Sequence, residues 1–173
     1  PGDQMENWLR ELNKIGYGAH IHAIGDAGVR TALDAIEAQR AHGSEKDYTL
    51  THVGLVNDAD LPRFRALNVT ADFQVGSDYI AEKDHSWAEP FIGDRAHHLM
   101  QVGKLYETGA NVSLSSDWNV HALSPLIGIA NSLKMGREGM PDVHSAIEAY
   151  TINAARSLGL DAVTGSIELG KSA

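Results

Sequence analysis

The chain has 173 residues, 43% of them hydrophobic and 21% charged, the composition of one ordinary globular domain. Its 14 Lys and Arg stand against 23 Asp and Glu, a formal net charge of −9, which argues against nucleic-acid backbones as partners and against a basic membrane-surface helix. There is no cysteine, so disulfide scaffolds, thiol nucleophiles and cysteine-ligated zinc or iron–sulfur centres are excluded, and no apolar run approaches the roughly 20 residues that span a bilayer.

The elements follow in chain order. Residues 3–15 carry Met5, Trp8, Leu9, Leu12 and Ile15 at helical spacing, with Gly16 as the stop. Residues 18–23 (GAHIHA) read as a short strand. Asp26 is placed to cap a helix whose apolar stripe is Val29, Ala32, Leu33 and Ile36. Residues 48–53 (YTLTHV) are β-branched and aromatic, a second strand. A polar start at Asn57, Asp58 and Asp60 opens a helix to about residue 67, and residues 69–75 alternate as a third strand. Residues 76–93 form an irregular stretch with Trp87 and Pro90, long enough to serve as a lid or binding loop. Residues 94–108 are expected to be helical, ended by Gly109, and residues 111–116 (NVSLSS) form the fourth strand. Ser124-Pro125 marks the start of a helix with Leu126, Ile129, Ala130 and Leu133 on one face, and Ser145 with Glu148 forms a capping box for a last helix to about residue 158.

Strands alternating with helices predict an α/β fold, a parallel sheet of right-handed β/α units. Four such units fit a small open doubly wound sheet or half of an eight-stranded barrel; a complete barrel needs about 250 residues. In either case functional side chains gather at the C-terminal ends of the strands. Those ends carry His20 and His22, then His52, then Gln74, then Asp117. Imidazole and carboxylate suit zinc and similar divalent ions. Equally, a His at a strand end can be a hydrogen-bonded structural residue, and an Asp at a strand-to-helix junction a cap. Spacing alone leaves both readings open.

The run His22-Ala23-Ile24-Gly25-Asp26 resembles a signature of the amidohydrolase superfamily, in its amidohydrolase-3 branch, which includes N-substituted formamide deformylases and other metal-dependent hydrolases. The resemblance continues through Thr51-His52-Val53, residues 58–67 (DADLPRFRAL), Phe73-Gln74, Ser115-Ser116-Asp117-Trp118, residues 149–155 (AYTINAA) and residues 164–171 (TGSIELGK), in order along nearly the whole chain. It implies a metal-dependent hydrolase on a (β/α)8 TIM barrel. In that frame His22 corresponds to the metal ligand on strand five and His52 to that on strand six. Asp117 is then the strand-eight aspartate, a metal ligand and the general base toward water. Gln74 falls at the end of strand seven.

The His-x-His pair of strand one and the bridging lysine of strand four have no counterpart, so the chain is expected to be strands 5–8, a partial barrel over residues 1–163. Residues 164–173 then begin the return into a flanking β-sandwich. The activity implied is hydrolysis of amide or formamide C–N bonds in a small-molecule substrate, with one or two divalent ions, zinc in the first place. Gln74, Trp118, His121 and His20 are the candidate substrate contacts. The competing expectation is a catalytically inactive half-barrel that serves as a binding, regulatory or self-associating module, because the two exposed sheet edges invite homo-oligomers. No nucleic acid or membrane partner is expected, and the cytoplasm is the favoured location, the lack of cysteine being compatible with cytoplasm or periplasm.

Overall fold

The computed structural model describes residues 2–77, 82 and 85–172. Helix α1 (Gly2–Lys14) leads into strand β1 (Ala19–Ala23), α2 (Asp26–Ala41), β2 (Tyr48–His52), α3 (Leu61–Ala66) and β3 (Val69–Gln74). A short α4 (Glu89–Ile92) and a 3-10 segment (Gly93–His98) precede α5 (Val102–Glu107) and β4 (Val112–Ser115). Helix α6 (Pro125–Lys134), a 3-10 turn (Gly136–Glu138), α7 (Val143–Tyr150) and α8 (Ile152–Ser157) complete the chain. The four strands form one parallel sheet in the order β1-β2-β3-β4. The fold is therefore α/β, with every strand pair joined by a helical crossover as a parallel sheet requires.

Period-two alternation makes the sheet two-faced. Ile21, Ala23, Tyr48, Leu50, Val69, Ala71, Phe73, Val112 and Leu114 supply one face, which packs with α2, α3 and α5 into the main hydrophobic core. The register pairs His22 with Thr51, Thr51 with Asp72 and Asp72 with Ser113, so the opposite face is polar from edge to edge. On β1 that face is exposed, whereas on β3 it is buried.

The strand expectations agree with the structure to within about one residue at each end. Gly16 (φ 91) and Gly109 (φ 75) end their helices in the left-handed region that glycine tolerates. Several helical expectations change. Trp8 is 71% exposed, because it lies beside the stripe by which Leu9, Met5 and Leu12 reach the core. The expected helix over residues 94–108 is two pieces. Met100, at φ 58, turns the chain so that its N–H reaches the Gly54 carbonyl at 2.8 Å, and α5 starts afresh. Asp26 does not cap α2; Gly25 holds that position, and the Asp26 carboxylate pairs with Arg95 at 2.8 Å.

Helix α6 starts as expected, with Ser124 at its N-cap and Pro125 in its first turn. Its buried face differs: Gly128, Asn131 and Ser132 are inside and Leu126 is 74% exposed. The reason is steric and polar. A Cβ on Gly128 would fall 1.8 Å from the Tyr150 hydroxyl, and Asn131 Nδ2 donates to the Val75 carbonyl at 3.0 Å. The last helix is capped by Asp142, whose carboxylate accepts from the Ser145 N–H at 2.8 Å, so Ser145 is already inside the first turn. It breaks at Thr151 (φ −121, ψ −93) into α7 and α8.

Phe73 is fully buried on the helix-covered face. Phe73→Ala is expected to cost about 3–5 kcal/mol of unfolding free energy, measurable by urea denaturation.

Candidate active site

The polar face rises toward the C-terminal ends of the strands, where the sequence placed its candidates. His22 and His52 are in contact there. Their ring centroids are 4.2 Å apart with planes at 66°, an edge-on arrangement. Strict alternation would not produce this, because His52 pairs with Ala23 in the register, and Ala23 faces the core. The chain escapes alternation by entering the left-handed region at His52 (φ 73) and Val53 (φ 46). Val53 is fully buried in the core while His52 turns to its neighbour His22. Positive φ at a β-branched residue is strained, and such strain collects at functional sites.

Burial holds the His52 imidazole below its ordinary pKa, and the neighbouring His22 acts in the same direction. The charges of Asp117 and Asp72 and a hydrogen bond with the Gln74 side chain oppose that shift. A neutral imidazole is the form that donates a lone pair. Asp117 follows β4 in the left-handed region (φ 51), exposed, with its charge felt at His52. Among the described residues no group of three or more His, Cys, Asp and Glu converges as a metal site. The donor chemistry of His22, His52 and Asp117 is of the kind that suits a divalent ion.

Gln74 is buried, and its Nε2 lies 2.7 Å from Thr51 Oγ1, 2.7 Å from Asp72 Oδ2 and 3.0 Å from Ser115 Oγ. Beside it a cleft of about 160 Å³ opens over His52. Its walls are apolar, built from Ile24, Leu99, Met100 and Trp87. His85 and His121 add two imidazoles to its rim. The long loop expected to act as a lid thus contributes His85 and Trp87, although residues 78–81, 83 and 84 lie outside the described part. His121 also forms a hydrogen bond with Ser77, tying the loop after β4 to the end of β3. Gly76 permits that approach, since a Cβ there would lie 2.8 Å from the His121 Cβ.

Of the candidates, His52, Gln74 and His121 line this cleft, and His22, Asp117, Trp118 and His20 do not. Trp118 is 69% exposed and does not line it, because the left-handed turn at Asp117 redirects the chain. His20 shares the face of His22 but sits one turn of the pleat lower on the exposed edge strand, also outside the cleft. Sequence reasoning missed Asp72 and His85. Asp72 was detectable as the polar partner of Gln74 two positions along a strand whose other face is apolar. His85 carried no local signal.

The whole chain, residues 1–173, matches the model of the amidohydrolase family. The chain belongs to that family. Among curated amidohydrolase relatives, it is 28% identical over 175 residues to N-substituted formamide deformylase from Arthrobacter pascens, a match covering 93% of this chain and 31% of the relative. It is 29% identical over 185 residues to Protein LONG AFTER FAR-RED 3 of Arabidopsis thaliana, covering 99% of this chain and 31% of that protein. An uncharacterized metal-dependent hydrolase from Pyrococcus furiosus shares the fold with a TM-score of 0.83 at 24% identity, over 99% of this chain and 35% of the other. The chain therefore spans about a third of the length of these proteins.

The Tyr150 hydroxyl donates to the Ser115 carbonyl at 3.4 Å. Burial, aided by the Asp72 charge, pushes its pKa up from 10.0 to about 12. The folded state thus holds this proton more tightly than the unfolded chain. The associated stabilisation is present below pH 10 and is lost as pH rises through about 12. Alkaline denaturation followed by circular dichroism is expected to show a decline in that window, and Tyr150→Phe to flatten it.

Proposed function

We propose that this chain forms the part of a metal-dependent hydrolase that corresponds to strands 5–8 of the barrel, acting on the C–N bond of an amide or formamide. The observation that carries the reading is the His22–His52 ring contact, whose His52 lines an apolar cleft, with Asp117 acting on His52 through its charge. The family of the chain and its likeness to a formamide deformylase support the same reaction class.

His22, His52 and Asp117 would hold the divalent ion, with zinc the natural choice for two imidazoles and a carboxylate. When bound, such an ion supplies Lewis-acid polarisation of the substrate carbonyl and acidifies water. The Asp117 carboxylate takes a proton from the attacking water and returns it to the departing nitrogen, the general base and then general acid of the reaction. Gln74 and His121 border the substrate, and the apolar wall of Ile24, Leu99 and Met100 excludes bulk water from it.

Zinc titration of the purified chain by calorimetry is expected to show binding that His22→Ala or His52→Ala abolishes. In the whole protein, Asp117→Ala is expected to lower hydrolysis by at least about 100-fold, as loss of a general base does. Retained turnover would overturn the role given to Asp117.

A second reading rests on the two outer strands. Within the described sheet β1 and β4 each pair on one side only, and unpaired edges template association. We propose that the isolated chain self-associates through these edges. Sedimentation velocity should then show a dimer or larger species, and a monomer at all concentrations would refute it.

A further inference from the structure

The cleft over His52 has walls of Ile24, Trp87, Leu99 and Met100; the rest of its lining is Gly54, the Gln74 amide and three imidazoles. Among the described residues no Asp, Glu, Lys or Arg lines it. The apolar walls are held from behind. Leu99 is buried in a small second core with Leu55, Ala88 and Ala96, and Met100 packs against that core. The Met100 N–H donates to the Gly54 carbonyl at 2.8 Å, with Met100 in the left-handed region at φ 58. Gly54 in turn abuts Ile24, since a Cβ there would lie 3.1 Å from the Ile24 carbonyl oxygen and 3.3 Å from its Cγ2. Arg95 adds a further tie, pairing with Asp26 at 2.8 Å. Residues 85–100 are thus pinned to the segments that follow β1 and β2, and the cleft they line together is preformed.

We propose that this cleft receives an uncharged, apolar substituent of the amide substrate, about one ring in size, and that Ile24, Trp87, Leu99 and Met100 set that specificity. Volume decides the size. The cleft measures about 160 Å³, and a dry apolar cavity of roughly 150 Å³ holds a benzene molecule. The lining decides the charge. A carboxylate or ammonium moved into the cleft would give up its water and meet no side chain of opposite formal charge. An apolar ring gains by leaving water and by contact with four apolar side chains. Trp87 adds an aromatic partner, whose attraction for a second ring exceeds that of area alone. The hydrogen-bonding side chains of the lining, Gln74 and the imidazoles, match a neutral amide group. The link to hydrolysis rests on the proposed function; the binding preference of the cleft does not.

The test titrates the 173-residue chain, labelled with carbon-13 at the Ile, Leu and Met methyl groups, with benzamide. Two further probes, para-nitrobenzamide and para-carboxybenzamide, share a shape and differ by one charge. The titrations are run at about pH 8, where an imidazole of ordinary basicity is uncharged, and with EDTA, so that no stray cation answers the carboxylate. Benzamide is expected to shift the methyl signals of Ile24, Leu99 and Met100 by its ring current. The carboxylate is expected to bind at least about 10-fold more weakly than its nitro counterpart. Naphthamide is expected to bind more weakly than benzamide despite its larger apolar surface. Ile24→Lys, at a position 50% exposed, places a cation on the wall and is expected to reverse the order of the nitro and carboxylate probes. Absence of saturable shifts with benzamide, equal binding of the nitro and carboxylate probes, or naphthamide binding more tightly than benzamide overturns the proposal. So does an unchanged order in a folded Ile24→Lys variant. Selective binding by the chain, with no hydrolysis of any amide by the whole protein, overturns the hydrolytic reading and leaves the preference of the cleft standing. Hydrolysis that treats neutral and charged amides alike does the reverse.

Discussion

Everything in this molecule depends on the period-two alternation of a parallel sheet whose two faces have opposite chemistry. One face is apolar apart from the Tyr48 hydroxyl and is covered by helices. Its burial drives folding, since hydrophobic area removed from water is the dominant favourable term. The other face carries histidine, threonine, serine, aspartate and glutamine in adjoining register positions. Because the strands are parallel, equivalent positions line up across the sheet, so a polar residue on one strand meets polar residues on the next. A network of hydroxyls, an amide and a carboxylate forms from residues 51–115 without any loop being needed to assemble it.

The two buried carboxylates among the described residues show how differently the fold treats charge. Asp60 is answered by two guanidiniums, with Arg30 at 2.8 Å and Arg63 at 3.0 Å, in a cluster that ties α2 to the start of α3. Its charge is cancelled locally, and the pairing is architectural. Asp72 is answered only by neutral donors. The Asp72 carboxylate acts electrostatically on His52.

The departures from regular structure are concentrated at the strand ends. His52, Val53 and Asp117 are all non-glycine residues with positive φ. In each place the chain leaves the pleat just where a side chain has to be aimed at the site or the polypeptide turned away from it. The break before α5 belongs to the same pattern. It lets the Met100 N–H bind the Gly54 carbonyl and brings Leu99 and Met100 over the cleft.

The order of strands and helices, the parallel sheet and the pairing of His22, His52, Gln74 and Asp117 with strand ends were legible in the sequence, because alternation and helical spacing are local properties of the chain. The family was legible for the same reason, in short runs such as residues 22–26. Local pattern did not determine which face α6 buries, since the choice was made by the Tyr150 hydroxyl against Gly128 and by Asn131 reaching Val75. Nor did it reveal that Trp118 turns outward or that His85 comes to the cleft. The contact between His22 and His52 needed a left-handed residue at the end of β2, and the burial of the Asp72 carboxylate needed donors from three strands at once. Those features are sums of long-range contacts, and a linear pattern carries no record of which distant groups will compete for the same space.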